Sequence, residues 1–205
     1  MSSNLKVNNQ KLLQKLLRGM EMSQGRFRLF LVCCNNLTQR QYLIQQLRES
    51  FSRDLAELEL DKSVAELYAA ICQHSEAQQP NALTVWGLES VRNIDQLLVS
   101  MGLAREEFRK NFHFPILLWI NAEVSRKFIR LIPDFASWTS VTVFETPTQE
   151  LIDFIRQTSE NIYQKVLESE AGIFLNYTDL GLPESTYQDL LEARQELANL
   201  SLIHI

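Results

Sequence analysis

The chain reads RFRLFLVCCNNLTQR over residues 26–40, and this stretch changes from apolar to polar at Asn35. Its apolar part, residues 27–34, is typical of a strand that is buried on both faces of a sheet. The residues that follow, 38–51, repeat apolar side chains at helical spacing and predict a helix. A buried strand followed at once by a helix is the opening unit of an α/β domain.

The same alternation continues along the chain and sets the expected fold class. An amphipathic helix is predicted before the first strand, at 7–20. Further strands are predicted at 55–60, 82–86, 114–120 and 141–144, with helices at 64–72, 91–101 and 124–132 between them. Because such alternation favours right-handed crossovers, we expect an α/β fold with about five mostly parallel strands and helices on both faces.

A helical extension is expected after the last strand. The sequence TPTQE at 146–150 predicts a helix start, with proline in the first turn and an acidic residue near the positive helix end. The α/β domain is therefore expected to span residues 1–145, and residues 146–205 to form the extension or the start of a further module. The apolar ending, 202–205, fits either a tail that packs back onto the protein or a longer natural chain.

Composition and charge argue against several classes of protein. With 45% hydrophobic and 22% charged residues, the 205-residue chain has the composition of a folded globular protein. Its net charge of −5 argues against a nucleic-acid binder, which needs a basic surface. No apolar run approaches the about 20 residues that span a bilayer, so no membrane insertion is expected.

The cysteines predict a reducing compartment and no metal site. Their number, three, is odd and gives no disulfide framework, which favours a cytoplasmic location. Cys33 and Cys34 are neighbours on the first predicted strand and so point to opposite faces of the sheet. Because they cannot bind one metal ion together, we expect them to be small buried apolar side chains.

Five polar residues follow the predicted strands, where ligands of open parallel sheets bind. They are Asn35, Asn36, Thr38, Glu89 and Asn121. If ATP and Mg²⁺ bind, these residues are the candidate ligands; their more ordinary interpretation is as helix caps and turns. The first turn offers neither glycine nor lysine, which a phosphate-binding loop needs. We therefore expect no cofactor and no ATP hydrolysis.

Apolar and aromatic side chains are the candidates for contacts with a partner. Trp86 and Trp119, near the ends of two core strands, either stack on a planar ligand or, as we favour, fill the crevice. Trp138 and a nearby phenylalanine form either a partner-facing pair or a pair docked on the preceding helix. The candidate partner-binding residues are Leu13, Leu17, Phe135, Trp138, Phe174 and Tyr177.

Four segments carry a resemblance to a known family. They read RFRLFL at 26–31, LTVWGLE at 83–89, FPILLWI at 114–120 and PDFASW at 133–138. Together they resemble the AAA/STAND-like P-loop domain that often precedes tetratricopeptide repeats in cyanobacterial multidomain proteins. The resemblance implies a P-loop NTPase-like fold and a scaffold or signalling role, often with an eroded nucleotide loop. This chain departs from true STAND NTPases at the lysine and glycines of the first turn.

The function expected from these observations is a non-catalytic protein-interaction or regulatory module on a degenerate nucleotide-binding fold. Its partner is expected to be another protein or a second copy of the chain. One alternative is a nucleotide-binding switch or weak NTPase of the STAND type without a standard Walker A loop. A nucleic-acid effector that uses the basic helix residues Arg126, Lys127 and Arg130 is disfavoured by the net charge.

Overall fold

The computed structural model describes residues 2–78, 80–168 and 184–203. Phe174 and Tyr177 lie outside the described residues. The elements in chain order are α1 (Ser2–Met22), β1 (Arg28–Cys34), α2 (Leu37–Ser50), β2 (Leu55–Glu59), α3 (Leu67–Gln78), β3 (Ala82–Trp86), α4 (Ile94–Leu103), α5 (Arg105–Asn111), β4 (Pro115–Ile120), α6 (Ala122–Leu131), α7 (Pro133–Ala136), β5 (Thr139–Phe144), α8 (Thr148–Glu168) and α9 (Glu184–Ile203), with a single 3-10 turn at Leu88–Ser90.

The five strands form one parallel sheet in the order β2-β3-β4-β1-β5. The predicted fold class, an α/β sheet with a C-terminal helical extension, is confirmed. β1 lies between β4 and β5, so that Leu31 is paired with Leu118 on one side and Val141 on the other. The most continuous apolar strands, β1 and β4, are neighbours, as expected for strands buried on both faces.

Two separate cores cover the two faces of the sheet. On one face, α1 and α2 pack on Phe30, Val32 and Trp119; on the other, helices α3 to α7 pack on the alternate strand residues. Cys33 belongs to the second core and Cys34 to the first, which confirms that these neighbours are buried on opposite faces. Helices α8 and α9 pack against each other, and α9 also contacts α2.

Two helices differ from the sequence expectation, and a third position agrees with it. The helix predicted at 64–72 is α3, which begins later, at Leu67, and extends to Gln78, while Asp61 before it accepts hydrogen bonds from the Ser63 amide and hydroxyl. The short helix α5, Arg105–Asn111, was not expected from the pattern. Pro133 ends α6, as predicted, and is also the first residue of α7, a position that suits its fixed φ.

Trp119 fills the core beneath the carboxyl edge of the sheet. Its side chain is 0% exposed, its ring stacks on Phe144 at 6.3 Å, and its Nε1 donates a hydrogen bond of 2.7 Å to Oγ1 of Thr84. The Trp119 side chain is therefore part of the core and does not stack on a ligand.

Thr84→Val is expected to lower the free energy of unfolding by about 1–3 kcal/mol, because it leaves a buried indole N–H without an acceptor. Urea denaturation of Thr84→Val, Trp119→Phe and the double variant measures the coupling between the two residues. The double variant should lose about 1 kcal/mol less than the sum of the single variants. Simple additivity would contradict this account of the pair.

Candidate functional site

A crevice lies at the carboxyl edge of the sheet, between β1 and β4. These strands are neighbours, yet the helices that follow them pack on opposite faces, α2 beside α1 and α6 beside α4. Ligands of open parallel sheets bind where connections diverge in this way. A cavity of about 1040 Å³ lies here, with Asn35, Leu37, Asn121 and Arg126 among its lining residues. We call it the β1–β4 crevice.

The turn between β1 and α2 consists of two asparagines. Asn36 caps α2, its Oδ1 accepting a hydrogen bond of 2.6 Å from an amide in the first turn. Asn35 reaches across the crevice, and its Oδ1 accepts a hydrogen bond of 2.8 Å from the amide of Ala122 at the start of α6. Asn121 caps α6, and its Oδ1 accepts a hydrogen bond of 2.9 Å from the amide of Val124. The oxygens of these side chains accept hydrogen bonds from backbone amides that, at other helix N-termini, are available to bind phosphate.

Arg40 of α2 is a buried charge beside the crevice, with 1% of its surface exposed. One terminal nitrogen pairs with the carboxylate of Glu89, and the other donates a hydrogen bond of 2.8 Å to the carbonyl oxygen of Cys34. Glu89 lies in the 3-10 turn after β3, which begins at Gly87 with a φ of +90°, a conformation that favours glycine. Arg40 therefore joins the ends of β1 and β3 to α2.

Helix α9 lies over the crevice and brings a carboxylate to the N-terminus of α2. Asp189, which is 1% exposed, accepts hydrogen bonds from the backbone amides of Leu37 and Thr38, the second at 3.3 Å. The hydroxyl of Thr38 donates a further hydrogen bond of 2.8 Å to the same carboxylate. An anion at this position is stabilised by unpaired amides and by the positive end of the helix dipole. The chain thus supplies its own anion here.

Two further carboxylates of α9 contact the crevice. Glu192 accepts a hydrogen bond of 2.7 Å from the side-chain amide of Asn121, and Glu196 accepts one of 3.3 Å from that of Asn35. Residues three and four apart lie on one side of a helix, so Asp189, Glu192 and Glu196 form a single acidic row. We call this row the carboxylate triplet. Each member has its own donor on the α/β domain.

The docked position raises the pKa of two carboxyls of the triplet, Glu192 and Glu196. Burial raises the pKa of Glu192 to about 7, and the negative charges of Glu89 and Asp189 add to the effect. The hydrogen bond from Asn121 and the charge of Arg40 act in the opposite direction and only partly offset burial. Burial also raises the pKa of the third carboxyl of the triplet. Docking of α9 is therefore coupled to proton binding near neutral pH.

The five residues that sequence analysis placed after the strands lie at this edge, and each has a partner within the protein. Asn36 and Asn121 are helix caps, Asn35 and Thr38 bond to α6 and α9, and Glu89 pairs with a buried guanidinium. Their assignment to ATP and Mg²⁺ stays a prediction.

Arg40 and the carboxylate triplet were not identified from the sequence. An arginine in a helix is usually solvated, so its burial had no local signal. The triplet did carry a signal, since its acidic residues are spaced three and four apart in α9. Apolar periodicity, which locates the helix, does not report which acidic residues of that helix are buried.

The candidate partner-binding residues are largely used within the domain. Phe135 is 1% exposed and packs on Phe108 of α5 at 5.5 Å, so its side chain is part of the core; its assignment to a partner surface stays a prediction. Trp138 is half-buried, edge-on to Phe135 and close to two arginines of α5. Leu13 and Leu17 are partly buried against the core that contains α1 and α2. The apolar face of α1 packs against one face of the sheet, and the assignment of Leu13 and Leu17 to a partner surface stays a prediction.

Comparison with known proteins adds no family to these observations. No protein-family model and no curated protein sequence matches the chain. Among the helices of the described residues, none combines the length and the apolar character needed to cross a bilayer. Across ranges 2–78, 80–168 and 184–203, no group of His, Cys, Asp and Glu side chains is placed to hold a metal ion.

Arg40→Leu is expected to lower the free energy of unfolding by about 3 kcal/mol, because it removes the cation of a largely buried ion pair and leaves the carboxylate of Glu89 unpaired. Arg48→Leu, on the same helix, is the matched control: its pair with Glu57 is more exposed, so the loss should be about 0.5 kcal/mol. Urea denaturation at pH 7 measures both. Losses of equal size would contradict a special role for Arg40.

Docking of α9 should weaken as the pH rises. The pKa of Glu192 is higher in the docked helix than its ordinary value of 4.5, so docking is strongest below pH 4.5 and is progressively lost up to about pH 7. Between pH 6 and pH 8 we expect about a tenfold fall in the hydrogen-exchange protection of the Leu37 and Thr38 amides, after correction for intrinsic rates.

The matched variants are Glu192→Gln and Glu160→Gln, the second at an exposed position of α8. Glu192→Gln should remove most of this pH dependence and retain protection at pH 8, whereas Glu160→Gln should leave the pH dependence unchanged. Unaltered pH dependence in Glu192→Gln would show that another group is responsible.

Proposed function

We propose that this protein is a non-catalytic interaction or regulatory module, in which a crevice of nucleotide-binding type is closed by the chain's own C-terminal helix. The observation that carries the proposal is the carboxylate of Asp189 at the N-terminus of α2, bonded to two backbone amides and to the Thr38 hydroxyl. In a nucleotide-binding domain this is a position for phosphate.

The arrangement around the crevice disfavours catalysis. Phosphoryl transfer needs a loop of free amides, a lysine on the phosphates and a carboxylate that holds Mg²⁺ or orients the nucleophile. Here two asparagines replace the loop, and the carboxylate of Glu89 is paired with Arg40. The resemblance to AAA/STAND-like domains with eroded nucleotide loops supports the same conclusion. The unpaired cysteines Cys33, Cys34 and Cys72 support a cytoplasmic location.

The second candidate is a nucleotide-binding switch. The amides of Leu37 and Thr38 donate hydrogen bonds to the carboxylate of Asp189. If α9 moved away, the same amides could donate hydrogen bonds to a phosphate. Under that alternative, α9 and a nucleotide compete for one site, so weakening of the Asp189 contact would increase nucleotide affinity. The two candidates therefore predict different behaviour for a variant at this residue.

A thermal-shift titration separates the candidates. A nucleotide with a dissociation constant of about 0.5 mM, present at about 5 mM, would add about 1.4 kcal/mol and raise Tm by about 3–5 °C. We expect no such shift with ATP, GTP or their diphosphates in Mg²⁺, for the wild type or for Asp189→Asn. A shift in both proteins, or a shift that appears only in Asp189→Asn, would overturn the non-nucleotide proposal and favour the switch.

A further inference from the structure

β5 is the last strand of the sheet, and among the described residues it pairs on one side only, with β1. In a parallel ladder every second residue directs its N–H and C=O groups to one neighbour, so the other residues of β5 direct theirs to the outer edge. An open edge of this kind is a template for a further strand. A strand is also the occupant that satisfies a row of backbone donors and acceptors.

The two edges of the sheet differ in their protection against pairing with another chain. The opposite edge strand, β2, carries Glu57 and Glu59, and Glu57 forms an ion pair with Arg48. Charged residues on an edge strand oppose such pairing. β5 reads TSVTVF, which contains no charged residue and no proline, and all six of its residues pair with β1 in an unbroken register. Charge therefore guards one edge of the sheet and not the other.

β5 also presents two apolar side chains that the described residues leave half exposed. Val141 is 53% exposed and Val143 is 49% exposed. Their neighbours across the ladder, Leu31 and Cys33, are buried in the core beneath α3 to α7, so the two valines lie on that face of the sheet. Apolar side chains on a strand gain stability from cross-strand neighbours. A strand added beside β5 supplies such neighbours to both valines.

The charges at the two ends of β5 complement each other in an antiparallel pair. Arg28, which is exposed, donates a hydrogen bond of 2.8 Å to the Ser140 hydroxyl near the start of β5. Glu145, also exposed, directly follows the end of the strand. A two-fold axis perpendicular to the sheet places the start of one β5 beside the end of the other. Each Arg28 then lies close to Glu145 of the second copy, so the edge matches itself in charge.

We propose that β5 is a self-association edge, through which two copies of this chain pair antiparallel and join their five-stranded sheets into one. In this register Thr142 lies opposite Thr142 of the second copy, and Val141 lies opposite Val143 of the second copy. Backbone hydrogen bonds between the edges supply affinity, and the valines of both copies form one apolar cluster. The inference rests on the proposed function, because it names a second copy of the chain as the partner of the interaction module.

Sedimentation velocity of the full chain over a range of concentrations tests this edge. We expect the wild type to reach the mass of a dimer at about 100 µM. Val141→Lys combined with Val143→Lys should raise the dissociation constant about tenfold or more, because lysine on an edge strand opposes pairing. Val99→Lys is the matched control, at a valine of α4 that is 44% exposed, and should leave the dissociation constant unchanged. Far-UV circular dichroism checks that each variant keeps its fold.

An exchange of charges tests the antiparallel register. Arg28→Glu brings acidic residues together across the dimer and Glu145→Arg brings basic residues together, so each change should weaken association about threefold or more. The two changes in one chain restore opposite charges and should recover most of the wild-type affinity. Weakening in both single variants without recovery in the double variant would contradict the register.

Two outcomes would overturn the self-association edge itself. One is a wild type that stays monomeric at about 100 µM. The other is a dimer whose dissociation constant the lysine pair leaves unchanged, which would assign the contact to another surface. The nucleotide titration described above tests the proposed function separately. A thermal shift would contradict the non-nucleotide module and leave a β5 dimer standing, whereas a monomer without a thermal shift would overturn the dimer alone.

Discussion

The buried guanidinium of Arg40 is the interaction around which the carboxyl edge of the sheet is organised. It bonds to the end of β1 through Cys34 and to the turn after β3 through Glu89, and its charge also lowers the proton affinity of Glu192 on α9. A buried charge requires partners with good geometry, since an unpaired one costs several kcal/mol. The ends of two strands and the first turn of α2 are therefore held in one arrangement, and the crevice has fixed walls.

Fixed walls make the helix N-terminus at Leu37 a permanent anion site. Its amides are oriented by α2 and cannot be satisfied within that helix, so they need an acceptor from outside. The side chain of Asn36 is the acceptor for the amide of Gln39, and the carboxylate of Asp189 is the acceptor for the amide of Leu37. Because the second acceptor belongs to the same chain, its association costs less entropy than that of a free ligand. Closure of the crevice by α9 is thus the expected resting state of this structure.

The sequence predicted the sheet and most of its helices, and it placed five polar residues at the crevice, but it did not predict the contacts that α9 makes there. Strands and helices were predictable because burial on two faces leaves continuous apolar runs, as in β1, and burial on one face leaves helical periodicity, as in α6. The contacts of Asp189 join residues about 150 positions apart, and no local pattern encodes such a distance.

The first turn contains neither glycine nor lysine, but this absence does not remove the backbone amides at the start of α2. Those residues provide close backbone approach and a mobile cation, which are specific to phosphate. Unpaired amides at a helix N-terminus belong to the backbone and persist with any sequence that keeps the helix. The crevice therefore offers hydrogen-bond donors to an acceptor without the groups that are specific to a triphosphate. A carboxylate, with one charge and two oxygens, accepts hydrogen bonds from these amides, which is the contact that Asp189 of α9 makes.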